Sequence, residues 1–270
     1  MPFVTDMVQR PRGTRDFIPT VMNRRLAFEK LLEKEASSHG FKRVQTPIFE
    51  SLDLFTAKSG PGVVNQLYAF QDKSDRALTL RPELTAPVMR MISEEMRAHS
   101  KPMRLSYFGQ CFRYEESKAG RYREFFQYGV ELIGASGPLA EAEVVSLAIN
   151  MLESSGLIDY EVRIGHVGIL RDILVGLGLS TEGEPEAPVA SAMRFLDKGD
   201  WDGLASLFAN NGVESNALEN LKKLAQLDGG IETLESARDI LSALGVSHES
   251  LDELSHLLAA VSKLAPAPPS

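Results

Sequence analysis

Between Arg121 and Leu132 the side chains alternate in character. The odd positions are Arg121, Arg123, Phe125, Gln127, Gly129 and Glu131; the even ones are Tyr122, Glu124, Phe126, Tyr128, Val130 and Leu132. Successive side chains on a strand point to opposite faces. The pattern predicts a strand over 121–134 with one mostly apolar face and one face of charges, an amide and a bare glycine. A second strand over 104–115 precedes it, joined by the loop ESKAG.

Elsewhere the period changes. Leu26, Leu31 and Leu32 sit among charges at helical spacing and predict a helix over 22–39, stopped by Gly40. FKRVQTPIFE reads as a short strand pattern closed by Pro47, and 66–81 as a hairpin around the polar turn DKSD. Thr85 is placed as the N-cap of a helix that carries Pro87 near its start and runs to about His99. A helix is predicted over 139–155, and YEVRIGHVGIL reads as a strand entering a helix. After the polar break STEGEPEAP come five amphipathic helical segments and no strand, which defines a helical module over 181–265 with Trp201 in its core. PAPPS resembles a linker or frayed tail.

Composition narrows the class without naming a function. The 270 residues are 43% hydrophobic and 24% charged, an ordinary globular balance. No apolar run reaches membrane-spanning length, and the N-terminus lacks the apolar stretch of a secretory signal, so a cytoplasmic protein is the default expectation. Cys111 is the single cysteine, which excludes a disulfide framework and is read as packing. The five histidines are scattered, which argues against a structural zinc site. A net charge of −8 speaks mildly against a chain that coats nucleic acid, while leaving local basic contacts open.

The polar strand face has two readings: the solvated side of an antiparallel sheet, or the floor of a ligand site. Gly129 lets something approach the backbone, Phe125 can stack on a planar ring, and Arg113 and Glu115 end the preceding strand in the same phase. Arg113 offers a planar fork for phosphate or carboxylate, Glu115 an acceptor for an exocyclic amine, and Glu131 an acceptor for an N–H-bearing side chain. Arg121 and Arg123 can reach phosphates from the loop. That inventory suits a nucleotide plus a small amine-bearing substrate. Glu83, just before a helix start, is either a dipole partner or a ligand.

Three stretches, PRGTRDF (11–17), TLRPELTAPV (79–88) and FRYE…GRYREFFQYGVELIG (112–134), closely resemble histidyl-tRNA synthetases, particularly the archaeal type. The last looks like motif 2 of class II aminoacyl-tRNA synthetases, and residues 22–50 like motif 1, the dimer-forming element. The resemblance implies an α+β fold: an incomplete class II synthetase-like antiparallel sheet flanked by helices over 1–180, then a helical insertion module over 181–265 and a tail over 266–270. It implies activation of histidine with ATP and Mg²⁺ and transfer to tRNA(His) by a homodimer formed through motif 1. Arg113 would hold the ATP α-phosphate and the histidine carboxylate. Glu115 would read the adenine amine, with Phe125 beneath the ring. Glu83, Thr85 and Gln127 would surround the α-ammonium, and Glu131 would accept from the imidazole. Arg121 and Arg123 would serve ATP phosphates or the tRNA acceptor end.

The sequence departs from the family in two places. The motif 2 loop places Glu116 where the family usually has an Arg-Pro pair, a negative charge in place of a positive one. The family's histidine-binding segment, motif 3 and anticodon-binding domain have no counterpart, so the expectation is an N-terminal portion of a synthetase whose sheet exposes edges, possessing a substrate floor without a lid. Two competitors stand beside it: a histidine-sensing regulatory paralogue of the kind paired with ATP phosphoribosyltransferase, and a bare interaction module.

Overall fold

The structure, a computed structural model, describes residues 9–57, 64–115, 120–183 and 187–264. The expectations for residues 116–119 of the motif 2 loop, part of the break at 184–186 and the tail lie outside them. The chain divides into two compact units, Met1–Ala135 with Leu147–Ile158, and Ser136–Ser146 with Asp159–Ser270.

The first unit opens with helix α1, Pro19–Ser38, with proline in its first turn where the missing N–H costs nothing. Gly40 ends it as expected. It takes φ +80°, and the Phe41 N–H returns to Ala36 O at 2.9 Å while the Phe41 ring is buried. The strand pattern of 41–50 splits at Pro47 into two pieces, β1 (Lys42–Arg43) and β2 (Phe49–Ser51), which serve different sheets. A short helix, α2 (Asp53–Thr56), follows. The expected hairpin is present: β3 (Tyr68–Gln71) and β4 (Ala77–Leu80) pair antiparallel, and β2 adds to the far side of β4. Asp72 builds the turn by accepting from the Ser74 and Arg76 N–H groups. Helix α3 covers Thr85–Glu95 and stops short of His99.

The second sheet holds the site. Its order is β1, then β5 (Met103–Phe112), then β6 (Glu124–Ile133), with β1 parallel to β5 and β6 antiparallel. The register sets Cys111 opposite Phe125, Gly109 opposite Gln127, Tyr107 opposite Gly129 and Leu105 opposite Glu131. Directly paired residues share a face. The odd residues of both strands therefore line one face, which packs on Leu84, Val88 and Ile92 at the start of and along α3. The even face takes Tyr128, Val130 and Leu132 against Ala36, Phe41, Leu147 and Met151, the last two from helix α4 (Pro138–Ser154). Toward the loop end the even face carries stacked Phe108 and Phe126 rings 5.6 Å apart, with the Arg25 guanidinium over Phe126. Every residue of β6 is half-buried, so the solvated-face reading fails. The apolar half of the odd face anchors α3, and the polar half is left at the helix's N-terminal end.

The second unit is helical, with α5 (Val167–Gly176), α6 (Pro188–Lys198), α7 (Trp201–Asn210), α8 (Ser215–Ala225), α9 (Thr233–Leu244) and α10 (Glu249–Leu264). They share a core that includes Ile173, Leu204, Leu221, Leu241 and Leu251, with Trp201 packed against it as expected. Asp200 caps α7 by accepting from the Gly203 N–H at 2.8 Å, and Gly199 and Gly245 close α6 and α9 in the left-handed conformation. The strand expected over 160–164 is absent. The segment joins no ladder among the described residues, and Arg163 pairs locally with Glu161 and reaches Asp228. Charge divides unevenly between the units. The first carries 21 basic and 17 acidic side chains by sequence, the second eight and 20, so the net negative charge belongs to the helical unit.

Candidate functional site

The site starts at the corner where β4 turns into α3. Arg81, which the sequence reading passed over, is 4% exposed and tied on every side. It donates to Gln110 O at 2.8 Å, Thr46 O at 2.8 Å, Pro47 O at 3.0 Å and Thr46 Oγ1 at 3.3 Å. Burial lowers its pKa from the ordinary arginine value. Four acceptors hold this cation in place and so fix the residues that follow it. Gly109 makes the space, since a Cβ there would lie 2.3 Å from Arg81 Nη2.

Glu83 follows. Its carboxylate accepts from the Thr85 and Ala86 N–H groups, the latter at 2.8 Å, and so caps α3 from two residues outside it. This corrects the assignment of Thr85 as N-cap. Thr85 is the first helical residue, its backbone N–H is the one being capped, and its hydroxyl faces Tyr107 Oη at 3.2 Å. Tyr107 in turn donates to Glu131 Oε1 at 3.0 Å. Gln127 Oε1 accepts from the Leu84 N–H at 3.2 Å and from the Cys111 thiol at 3.4 Å. Burial pushes that thiol up to about 11, and Cys111 is packing with a weak hydrogen bond, as expected.

Arg113 leaves the end of β5 and donates from Nε to Pro82 O at 2.9 Å, with its guanidinium 5.3 Å from the Phe125 ring centre. Phe125 is half-buried against the Cys111 cluster on the odd face, where alternation placed it. Arg113 and Glu83 both line an open cleft of about 820 Å³ that also touches Asp53, Phe55, Leu67 and Arg90. Arg90 grips the buried Glu50 through two nitrogens, at 2.8 and 2.6 Å, which ties α3 to β2 along the cleft wall.

A second group gathers beside the loop. Arg121 pairs with Glu115 at 3.4 Å, and Arg123 donates from Nε to Glu115 O at 3.1 Å while lying over Tyr114. The Arg123 N–H reaches Gly13 O at 2.8 Å, and the missing side chain of Gly13 makes room for the Arg123 stem. The segment PRGTRDF is thereby laid against the start of β6, with Arg15 over Tyr122. Seven candidates, Glu83, Thr85, Arg113, Glu115, Phe125, Gln127 and Glu131, thus lie along the odd face and its edge. Arg121 and Arg123 meet only the Glu115 end.

One expectation about this face is corrected. Gly129 does open a space over the backbone, but the chain fills it. A Cβ at Gly129 would fall 2.4 Å from Tyr107 Oη and 2.5 Å from the ring carbons. The register decides this, because antiparallel pairing of the two strands sets Tyr107 opposite Gly129. Among the described residues no group of three or more His, Cys, Asp or Glu side chains could hold a metal ion.

A sheet of this kind flanked by helices, with paired strands carrying an inward arginine at their loop end, is a class II synthetase-like catalytic fold. A solved structure described as an ATP phosphoribosyltransferase regulatory subunit/histidyl-tRNA synthetase from Bacillus halodurans superposes with a TM-score of 0.80 at 26% identity, over 96% of this chain and 65% of that one. The histidyl-tRNA synthetase of Nostoc sp. PCC 7120 shares the fold with a TM-score of 0.75 at 18% identity, over 95% of this chain and 58% of that one. The chain belongs to the histidyl-tRNA synthetase family, whose model matches residues 13–269. A histidine--tRNA ligase of Archaeoglobus fulgidus is 47% identical over 234 residues, 87% of this chain and 55% of the relative. That of Methanocaldococcus jannaschii is 40% identical over 252 residues, 93% of this chain and 59% of the relative. The chain therefore spans a little over half the length of these curated relatives.

Proposed function

We propose that the first unit is the histidine- and ATP-binding part of a cytoplasmic histidine--tRNA ligase, which activates histidine as its adenylate and passes it to tRNA(His). The observation that carries this reading is the convergence at the α3 N-terminus of acceptors, Glu83, Thr85 and Glu131, with the donors Arg113 and Gln127 beside a cleft. A zwitterionic amino acid with an N–H-bearing ring needs that mixture. Glu83 and Thr85 receive the α-ammonium, and Glu131 receives the imidazole N–H. Gln127 was expected beside the α-ammonium; its oxygen already accepts from the Leu84 N–H and the Cys111 thiol, so its amide N–H groups are what it offers an acceptor on the substrate. Arg113 bridges the histidine carboxylate and the ATP α-phosphate, Glu115 reads the adenine amine, and Phe125 supports the ring. Arg121 and Arg123 meet the phosphates or the acceptor end. Mg²⁺ enters only as the counterion that ATP brings with it.

In this reading the protein does little covalent work. The histidine carboxylate attacks the α-phosphorus and pyrophosphate leaves, while Arg113 brings the two anions together and stabilises the charge that builds up between them. RNA meets the first unit, which carries the basic excess, rather than the acidic helical unit. A second copy docks on the motif 1 region, where Val21, Leu26, Phe28, Ile48 and Phe49 are exposed apolar side chains.

Histidine-dependent ATP–pyrophosphate exchange tests the reading, with Arg113→Ala beside the parent chain. Exchange that requires histidine and falls by roughly a hundredfold or more in the variant is the expected result. A folded chain that binds histidine yet retains no ATP dependence of any kind would favour the regulatory-paralogue reading instead.

A further inference from the structure

Around the α3 N-terminus, one hydroxyl decides the direction of the side-chain hydrogen bonds. Tyr107 Oη donates to Glu131 Oε1 at 3.0 Å and lies 3.2 Å from Thr85 Oγ1. A phenol carries a single proton, and a carboxylate can only accept. With that proton directed to Glu131, the contact with Thr85 has one polarity left: the threonine hydroxyl donates and the tyrosine oxygen accepts. Thr85 then has no O–H for a ligand, only a lone pair. Its backbone N–H is already bound to Glu83.

The tyrosine is built to hold this position. It is 4% exposed, and its ring fills the volume that Gly129 leaves empty, so it cannot swing aside without opening a gap in the sheet face. Its phenol has no alternative state near neutral pH, because burial raises its pKa well above the ordinary tyrosine value and the carboxylates of Glu131 and Glu83 act the same way.

We infer that Tyr107 is the positioning residue that sets the polarity of this site: it makes Thr85 an obligate acceptor and fixes one oxygen of Glu131, leaving the other for a ligand N–H. The chemical class that fits is a ligand with donors in two places, an ammonium against Thr85 and Glu83 and a ring N–H against Glu131. Ligands that bring only an acceptor to the ring position, such as a carbonyl oxygen or an ether, meet a carboxylate oxygen with no proton to give and are rejected. This rests on the reading of the site as the histidine pocket and adds to it the residue that makes the pocket directional.

Tyr107→Phe keeps the ring in the Gly129 space and removes only the hydroxyl. Calorimetric titration of the chain with histidine, histidinol and ATP then separates the roles. The expected result is histidine and histidinol binding weakened roughly tenfold to a hundredfold, the loss of a hydrogen bond to a charged group, with ATP affinity moved less than about twofold. Thr85→Val weakens both amines alike, and Thr85→Ser, which keeps the hydroxyl, recovers most of that loss. Unchanged histidine affinity in Tyr107→Phe, or histidine and ATP weakened together with a lower melting temperature, would overturn the assignment in favour of a structural role. If the parent chain binds no histidine, the pocket reading fails by itself. The bond is then tested without ligand, by denaturation of Tyr107→Phe, Glu131→Gln and the double variant: non-additive losses are expected, and strictly additive ones contradict the bond from Tyr107 to Glu131.

Discussion

Cys111 shows how little a reactive side chain reacts when its surroundings forbid the charged form. The thiol is fully buried and its pKa is pushed up to about 11, against an unfolded-state value near 8.5. The sign follows from proton counts. Above pH ~8.5 the unfolded chain loses the thiol proton while the folded chain keeps it, so stability contributed below that pH is lost as pH rises toward about 11. Urea melts between pH 8 and pH 11 should therefore show falling stability, with a shallower fall in Cys111→Ala. Thiol reagents at pH 7.5 should label the native chain far more slowly than the chain in denaturant. At this scale much of the site was legible. Alternation alone assigned Gln127, Glu131 and Phe125 to one face, and the phase of the preceding strand added Arg113. Arg81 and Tyr107 were not legible, because an arginine just past a strand end or a tyrosine within a strand gives no sign of what it will bond. Their roles come from register and from two glycines that clear the space beside them.

Those glycines carry a prediction that belongs to the sheet as an element. Gly129→Ala drives a methyl group into the Tyr107 ring, an overpacking expected to cost about 1–3 kcal/mol. Gly109→Ala pushes against the buried Arg81 guanidinium, which has four acceptors to lose, and should cost at least about 3 kcal/mol. Chemical denaturation should rank Gly109→Ala as the more damaging, and the reverse order would contradict the role given to Arg81. Helices α1, α3 and α4 and the hairpin were readable from period, proline and glycine. The N-terminal end of α3 was misread because Thr85 is a favoured cap residue, whereas Glu83 reaches forward over two peptide units and captures both free N–H groups. The strand expected over 160–164 did not form: among the described residues the segment joins neither sheet, and Arg163 pairs with Glu161 and Asp228 instead.

For the whole molecule, the two units differ in construction and charge. The helical unit has a core of its own running from Ile169 to Leu254, so a fragment limited to its residues should melt cooperatively by circular dichroism. The charge division was hidden in the sum: a chain of net charge −8 looks unsuited to RNA until the acidic side chains are assigned to the helices. Crosslinks to tRNA should accordingly map to the first unit, with binding that weakens steeply with salt. Replacement of Phe28 or Phe49 by lysine should shift sedimentation toward the monomer, while a parent chain that is monomeric throughout would remove the motif 1 dimer from the account.

On the proposed function, one sheet face and the corner leading into α3 hold histidine and ATP together, with Arg113 between them. A non-hydrolysable histidyl-adenylate analogue, the sulfamoyl compound, tests this without requiring turnover. Titrated calorimetrically, it should bind the parent chain more tightly than histidine or ATP alone, because both halves are gripped at once. Arg113→Ala should weaken it by roughly a hundredfold, in line with the loss of a donor to a developing anion. Equal affinity for the analogue in the parent chain and in Arg113→Ala, with both folded, would contradict the account.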